Sequence, residues 1–213
     1  MITAQHSSQE GRTIVEMLAY IMVMITITAG IAMLISKGYY RYECSSIQQD
    51  LVDFQKAIAK RYAADGHYTN VKWDDLCEYD LGPRDIMPEK ICVEEGGKQK
   101  CKCKVQRGRH IFDGTVDIGK DDCDISHSYC VTFYIQFNDL PQDICAQLGT
   151  KSWSNISGSD LERMEINDTL WYWESSPIQH SGMSKKALLP ASAESVSKAC
   201  HEGYDNRVRW YFN

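Results

Sequence analysis

From Met17 to Ile35 the chain carries no charged residue and is built largely of Met, Ile, Leu and Val. Beyond it the pattern changes without breaking. Cys44, Ile47, Leu51, Phe54 and Ile58 recur at three- and four-residue spacing, with Gln48, Gln49, Asp53 and Lys56 between them. That spacing lines one face of an α-helix. Span and stripe together predict one helix from about Ile14 to Ala64, stopped near Gly66. Its uncharged part is about 30 Å long, which matches the hydrocarbon core of a bilayer. A cleaved secretory signal is the rival reading. Its apolar region would be shorter, about 7–15 residues, with a basic flank before it and a small-residue cleavage site after it. Ser36-Lys37-Gly38-Tyr39 is a poor site of that kind, and no basic residue precedes Arg12, so the pattern favours a true span.

After Tyr68 the periodicity becomes mixed. A short helix is expected at Trp73–Tyr79, with Gly82-Pro83 and Pro88 as breakers. Strands are expected over Lys90–Val93, Lys100–Gln106 and His110–Ile118, with Gly96-Gly97 as a hairpin turn. The clearest strand is Tyr129–Asn138, where Val131, Phe133, Ile135 and Phe137 alternate with Thr132, Tyr134 and Gln136. Asp139-Leu140-Pro141 opens a helix carrying Ile144, Cys145 and Leu148, with Gly149 as its stop. A strand at Thr169–Glu174, a helix at Ala193–Glu202 and a last strand at Asn206–Phe212, with Val208, Trp210 and Phe212 on one face, complete the pattern. The fold class is α+β: a long N-terminal helix packed on an antiparallel sheet.

Composition adds a compartment. Nine cysteines lie between Cys44 and Cys200, all after the span, and their density suits an oxidising environment. The odd number leaves at least one thiol free or paired with another chain. Cys44, on the helix stripe, is the expected unpaired one, a small buried apolar residue. Cys77, Cys92, Cys101, Cys103, Cys123 and Cys130 are disulfide candidates of unread connectivity. A zinc site among them, with His110 and His127, is disfavoured because the only close pair is Cys101-Lys-Cys103. Metal ligands usually come as C-x-x-C pairs of matching spacing, so those two thiols fit separate disulfides better than one ligand sphere. No cofactor or metal is implied. The net charge of −6 argues against a nucleic-acid partner. The chain has no phosphate-cradling glycine loop and no G-x-S-x-G, and its six histidines look scattered and solvated, so it reads as non-enzymatic. Asn155-Ile-Ser and Asn167-Asp-Thr match the glycosylation sequon.

Just before the span lies Gly11-Arg12-Thr13-Ile14-Val15-Glu16. A carboxylate one turn into an apolar helix costs about 2.5–3.5 kcal/mol at a bilayer centre unless it is paired or stays at the headgroups. The string G-R-T-I-V-E followed by an apolar run resembles the signal of type IV pilins and pseudopilins, G-F-x-x-x-E. That resemblance implies cleavage after Gly11 by a prepilin peptidase and methylation of the new N-terminal residue, Arg12. It also implies that Glu16, fifth in the mature chain, offsets the amino terminus of a neighbouring subunit during assembly. Gly at the cut lets backbone enter a protease cleft, and pairing amine with carboxylate removes the cost of burying either alone.

The order of later elements, a strand running into L-P-x-x-I-C, then a helix with a cysteine, then a closing strand, resembles the type IVb pilins, most like the major pilins of thin conjugative pili. From that resemblance come a disulfide between Cys145 and Cys200 and a disulfide-rich pilin head. The sequence departs from the family at three points. Met1–Glu10 holds no Lys or Arg, Arg12 replaces the usual apolar first residue, and Lys37 and Arg41 outweigh Arg12 in flanking charge. The expected division is a leader over 1–11, a transmembrane part over 12–36, an amphipathic part over 37–66 and a head over 67–213. The resemblance implies a subunit held in the inner membrane with its head periplasmic, then moved into a filament of like subunits. A pseudopilin of a type II secretion system and a bitopic membrane-anchored periplasmic binding protein are the alternatives.

Overall fold

The computed structural model describes residues 7–124, 129–153, 161–172 and 185–213. The chain divides into two units, Met1–Glu43 and Cys44–Asn213. Helix α1, Ser7–Tyr62, is an element of both. It starts well before Ile14. Once the apolar stretch has nucleated a helix, each added residue costs little, and Ser7–Thr13 contains no proline to stop it.

In the first unit Ile14 through Ser36 of α1 are all exposed. In the second unit its stripe is buried. Cys44, Ile47, Leu51, Phe54, Ile58 and Tyr62 enter one hydrophobic core with residues from every later helix and from the sheet. Helix α2, Trp73–Glu78, sets Trp73 against Phe54, ring centroids 5.6 Å apart. Gly66, at φ 67°, follows the end of α1, where a left-handed residue closes a helix without strain.

Strands β1, Lys90–Glu95, and β2, Lys98–Cys103, form a separate antiparallel hairpin. Gly96 and Gly97 both take positive φ, as a tight hairpin turn requires. A sheet of seven strands follows, in the order β3-β4-β5-β9-β6-β7-β8. These are β3 Gly108–Arg109, β4 Thr115–Asp124, β5 Tyr129–Leu140, β6 Leu161–Ile166, β7 Thr169–Tyr172, β8 Lys185–Leu188 and β9 Asn206–Phe212. The closing strand β9 is therefore central, between β5 and β6. Phe133 stacks on Phe212 at 5.4 Å and Phe137 meets Trp210 edge-on at 5.6 Å. Helices α3, Gln142–Thr150, and α4, Ala193–Ala199, complete the unit.

Several expectations change in detail. The strand set over His110–Ile118 is broken by a turn, in which Asp113 N–H donates to the His110 carbonyl and Asp113 takes φ 63°. The sheet is antiparallel except for β7 and β8, which run parallel. Gly149 lies inside α3 and is buried. Its ideal Cβ would stand 2.5 Å from Ile166 and 2.6 Å from Val196, so the glycine is there for close packing. His110 is buried at the sheet edge, contrary to a solvated reading.

Candidate functional site: the exposed helix and the head cysteines

An 18-residue window of α1 has a mean hydropathy of 2.3, and none of it is buried. Among the described residues this is the one helix long and apolar enough to cross a membrane. The small hydroxyls of the span bond back to the helix's own carbonyls. Thr26 Oγ1 donates to the Val23 carbonyl at 2.8 Å, Thr28 Oγ1 to Met24 at 2.7 Å and Ser36 Oγ to Ala32 at 2.7 Å. A helix surface in lipid needs its hydroxyls closed onto its own backbone in this way.

Gly11 and Arg12 lie in the helical backbone of α1, and the side chain of Arg12 falls outside the described part of the structure, as do residues 1–6 of the expected leader. Glu16 is exposed, flanked by Val15 at 67% and Met17 at 68% exposure. A lone carboxylate on so apolar a surface is stable in water and costly in lipid.

The head cysteines fall into bonded pairs. Cys77 joins Cys103, Cys92 joins Cys101 and Cys145 joins Cys200. The two thiols of Cys101-Lys-Cys103 thus serve different partners, one across the hairpin and one back to α2. The third bond links α3 to the end of α4. Cys130 is disulfide-bonded as well. The strand register sets Cys123 opposite it, and the side chain of Cys123 lies outside the described part of the structure. Cys44 is free and buried, and Gln48 Nε2 lies 3.4 Å from its Sγ. Burial pushes that thiol up from its ordinary value, which keeps it protonated and unreactive. No group of three or more metal-ligating side chains occurs among the described residues.

One feature of the head was not read from the sequence. Strand β6 reads L-E-R-M-E-I, with three charged residues in six. Arg163 and Glu165 are in fact 3% and 5% exposed. Arg163 Nη2 lies 2.7 Å from Asp121 Oδ2 and its Nη1 2.9 Å from Glu162 Oε1, with the guanidinium over the Tyr211 ring. Glu165 accepts from Tyr211 Oη at 2.9 Å, Arg207 Nη2 at 3.0 Å and Arg209 Nη1 at 3.4 Å. Burial pushes the Tyr211 phenol up to about 12. The signal was present: Glu162 and Met164 alternate with Arg163 and Glu165, and in β9 Arg207 and Arg209 stand at period two. What it lacked was knowledge that the two strands are neighbours.

No protein-family model matches the chain. No curated protein matches it either. Among solved structures it is similar to the crystal structure of a type IV b pilin from Salmonella typhi, at 14% identity and a TM-score of 0.46, over 78% of this chain and 99% of that one.

Proposed function

We propose that the chain is a type IV prepilin, cut after Gly11 by a prepilin peptidase, methylated on Arg12 and assembled as a structural, non-catalytic subunit of a type IVb pilus. The observation that carries this reading is the change of character along α1. One helix is uncharged and exposed from Met17 to Ile35 and buries a stripe from Cys44 to Tyr62 in the head core. A soluble domain does not leave so many large apolar side chains in water, whereas a subunit that moves from bilayer to filament needs that surface in both settings. The G-R-T-I-V-E string gives the start of that helix its processing role, and Glu16 its place opposite a neighbour's amino terminus. The partners are then the peptidase, the inner membrane before assembly and further copies of the chain afterwards.

Mass spectrometry of the N-terminus in a host with a prepilin peptidase tests this. A chain beginning at methylated Arg12 supports it, and an intact Met1 in mature material makes the protein a bitopic anchor instead. Gly11→Ala should block processing. Glu16→Ala should be processed yet stay out of filaments, and normal filaments from that variant would remove the assembly role.

A further inference from the structure

We propose that the β1–β2 hairpin docks on an anionic lipid surface through the face carrying Ile91, Val93, Lys100 and Lys102. The register pairs Ile91 with Lys102 and Val93 with Lys100 directly across the ladder. Directly opposed residues share a face, and period two keeps all four on the same side. The opposite side carries the Cys92–Cys101 bond and Cys103, which is buried and bonded to Cys77. The lysine-bearing face is therefore the one turned away from the head.

That face is amphipathic by composition. Ile91 is 51% and Val93 62% exposed. Lys100 has only Glu95 at 4.0 Å, both well exposed, and Lys102 has no ion pair among the described residues. Lys90 and Lys104 are spoken for, by Asp80 and Glu89, each at 2.7 Å. Residues 90–104 hold five lysines against two glutamates in a chain of net charge −6, so positive charge is concentrated here. Two disulfides hold the hairpin in shape before any partner arrives, which lowers the ordering cost of docking.

Protection of a strand edge and capture of a soluble polyanion would each use only half of this face. Lysines on exposed edge strands discourage strand addition and aggregation, but that purpose is not served by keeping two aliphatic side chains in water beside them. A soluble polyanion would pair with the lysines and gain nothing from Ile91 and Val93. A lipid headgroup layer supplies both partners at once, phosphates for the ammonium groups and the acyl boundary for the aliphatics.

The test holds the full chain by its own apolar helix in nanodiscs of neutral phosphatidylcholine and offers vesicles with or without phosphatidylglycerol. Capture by phosphatidylglycerol vesicles should exceed capture by neutral ones by about tenfold, and rising salt should release it. Lys100→Glu with Lys102→Glu should bring capture to the neutral level, and Ile91→Ser with Val93→Ser should lower it several-fold. An intact Cys92–Cys101 bond, read by mass, checks that each variant has folded. Equal capture by both vesicle types overturns the proposal, as does capture insensitive to salt or to both double variants. A chain that ignores vesicles but binds heparin, with or without Ile91 and Val93, is a polyanion binder and also overturns it.

Discussion

Asn167 Nδ2 donates to Asn206 Oδ1 at 3.1 Å, and the same oxygen accepts from the His201 backbone N–H at 2.6 Å. Asn206 Nδ2 in turn donates to the carbonyls of Leu140, at 3.1 Å, and His201, at 3.0 Å. The side chain is fully buried. One carboxamide thus ties together the end of β5, the segment after α4 and the β6–β7 turn. Asn206→Ala leaves several buried partners unsatisfied, each worth about 1–3 kcal/mol, so a loss of about 3 kcal/mol is expected in chemical unfolding. Asn206→Asp should be no better, because a carboxylate cannot donate to two carbonyls.

The same contact decides the sequon at Asn167. Its Nδ2 also donates to the Ala199 carbonyl at 2.6 Å, so the nitrogen a glycan would occupy is already used. Asn155 lies outside the described residues.

Acid should loosen the sheet edge through His110. Its Nδ1 accepts from the Phe112 N–H at 3.2 Å and its Nε2 lies 2.7 Å from the Asn138 carbonyl. With one nitrogen accepting, the ring is neutral and Nε2 carries the proton. Burial holds its pKa below 6.5, although Asp139 and Asp113 pull it upward. The unfolded chain therefore takes up a proton first, and stability falls as pH drops from about 6.5 toward the folded value. His110→Gln should flatten that slope in thermal unfolding followed against pH. Gly114→Ala should remove the contact outright, since its Cβ would overlap both His110 Nε2 and the Asn138 carbonyl oxygen.

Elements with one buried face were legible. The stripe of α1, the alternation of β5 and the aromatic face of β9 all follow from burial on one side; β5 and β9 appear at nearly their expected bounds, and α1 ends near its expected end but starts earlier. Illegible features depend on residues distant in sequence. Strand β6 is identified by its neighbour β9, and β8 by its parallel partner β7. Gly149 signals a helix stop locally but is fixed by Ile166 and Val196. For the candidate site, the apolar span was plain, because an uncharged run from Met17 to Ile35 needs no tertiary context. The hairpin face was not, because nothing in K-Q-K-C-K-C tells which side of the ladder is free.

Asp50 should oppose His110. Burial, then Asp85 and Asp53, push its carboxyl up from 3.8 to about 6. A carboxyl held high in the folded state weakens folding once it is ionised, so this penalty grows from about pH 4 to pH 6 and is absent below. The group is half in solvent, and the cost is discounted accordingly to about 1 kcal/mol. Asp50→Asn should stabilise the head by that amount at pH 7 and by nothing near pH 3.5. Equal gains at both pH values would assign the effect to helix propensity instead.

The disulfides should differ in worth by the loops they close. Cys145–Cys200 spans 55 residues and Cys92–Cys101 spans 9. On the chain-entropy view the first restricts the unfolded state by about 4 kcal/mol and the second by about 2.5 kcal/mol. Their places in the fold widen the gap. The first joins α3 to the end of α4 within the core, where both cysteines are buried. The second crosses a two-stranded hairpin that stands apart from the main sheet. Cys145→Ala with Cys200→Ala should therefore lower the unfolding midpoint of the whole head. Cys92→Ala with Cys101→Ala should leave that midpoint nearly unchanged while raising hydrogen exchange over Lys90–Cys103. A head whose midpoint falls equally in both variants would mean that the hairpin unfolds with the core rather than ahead of it.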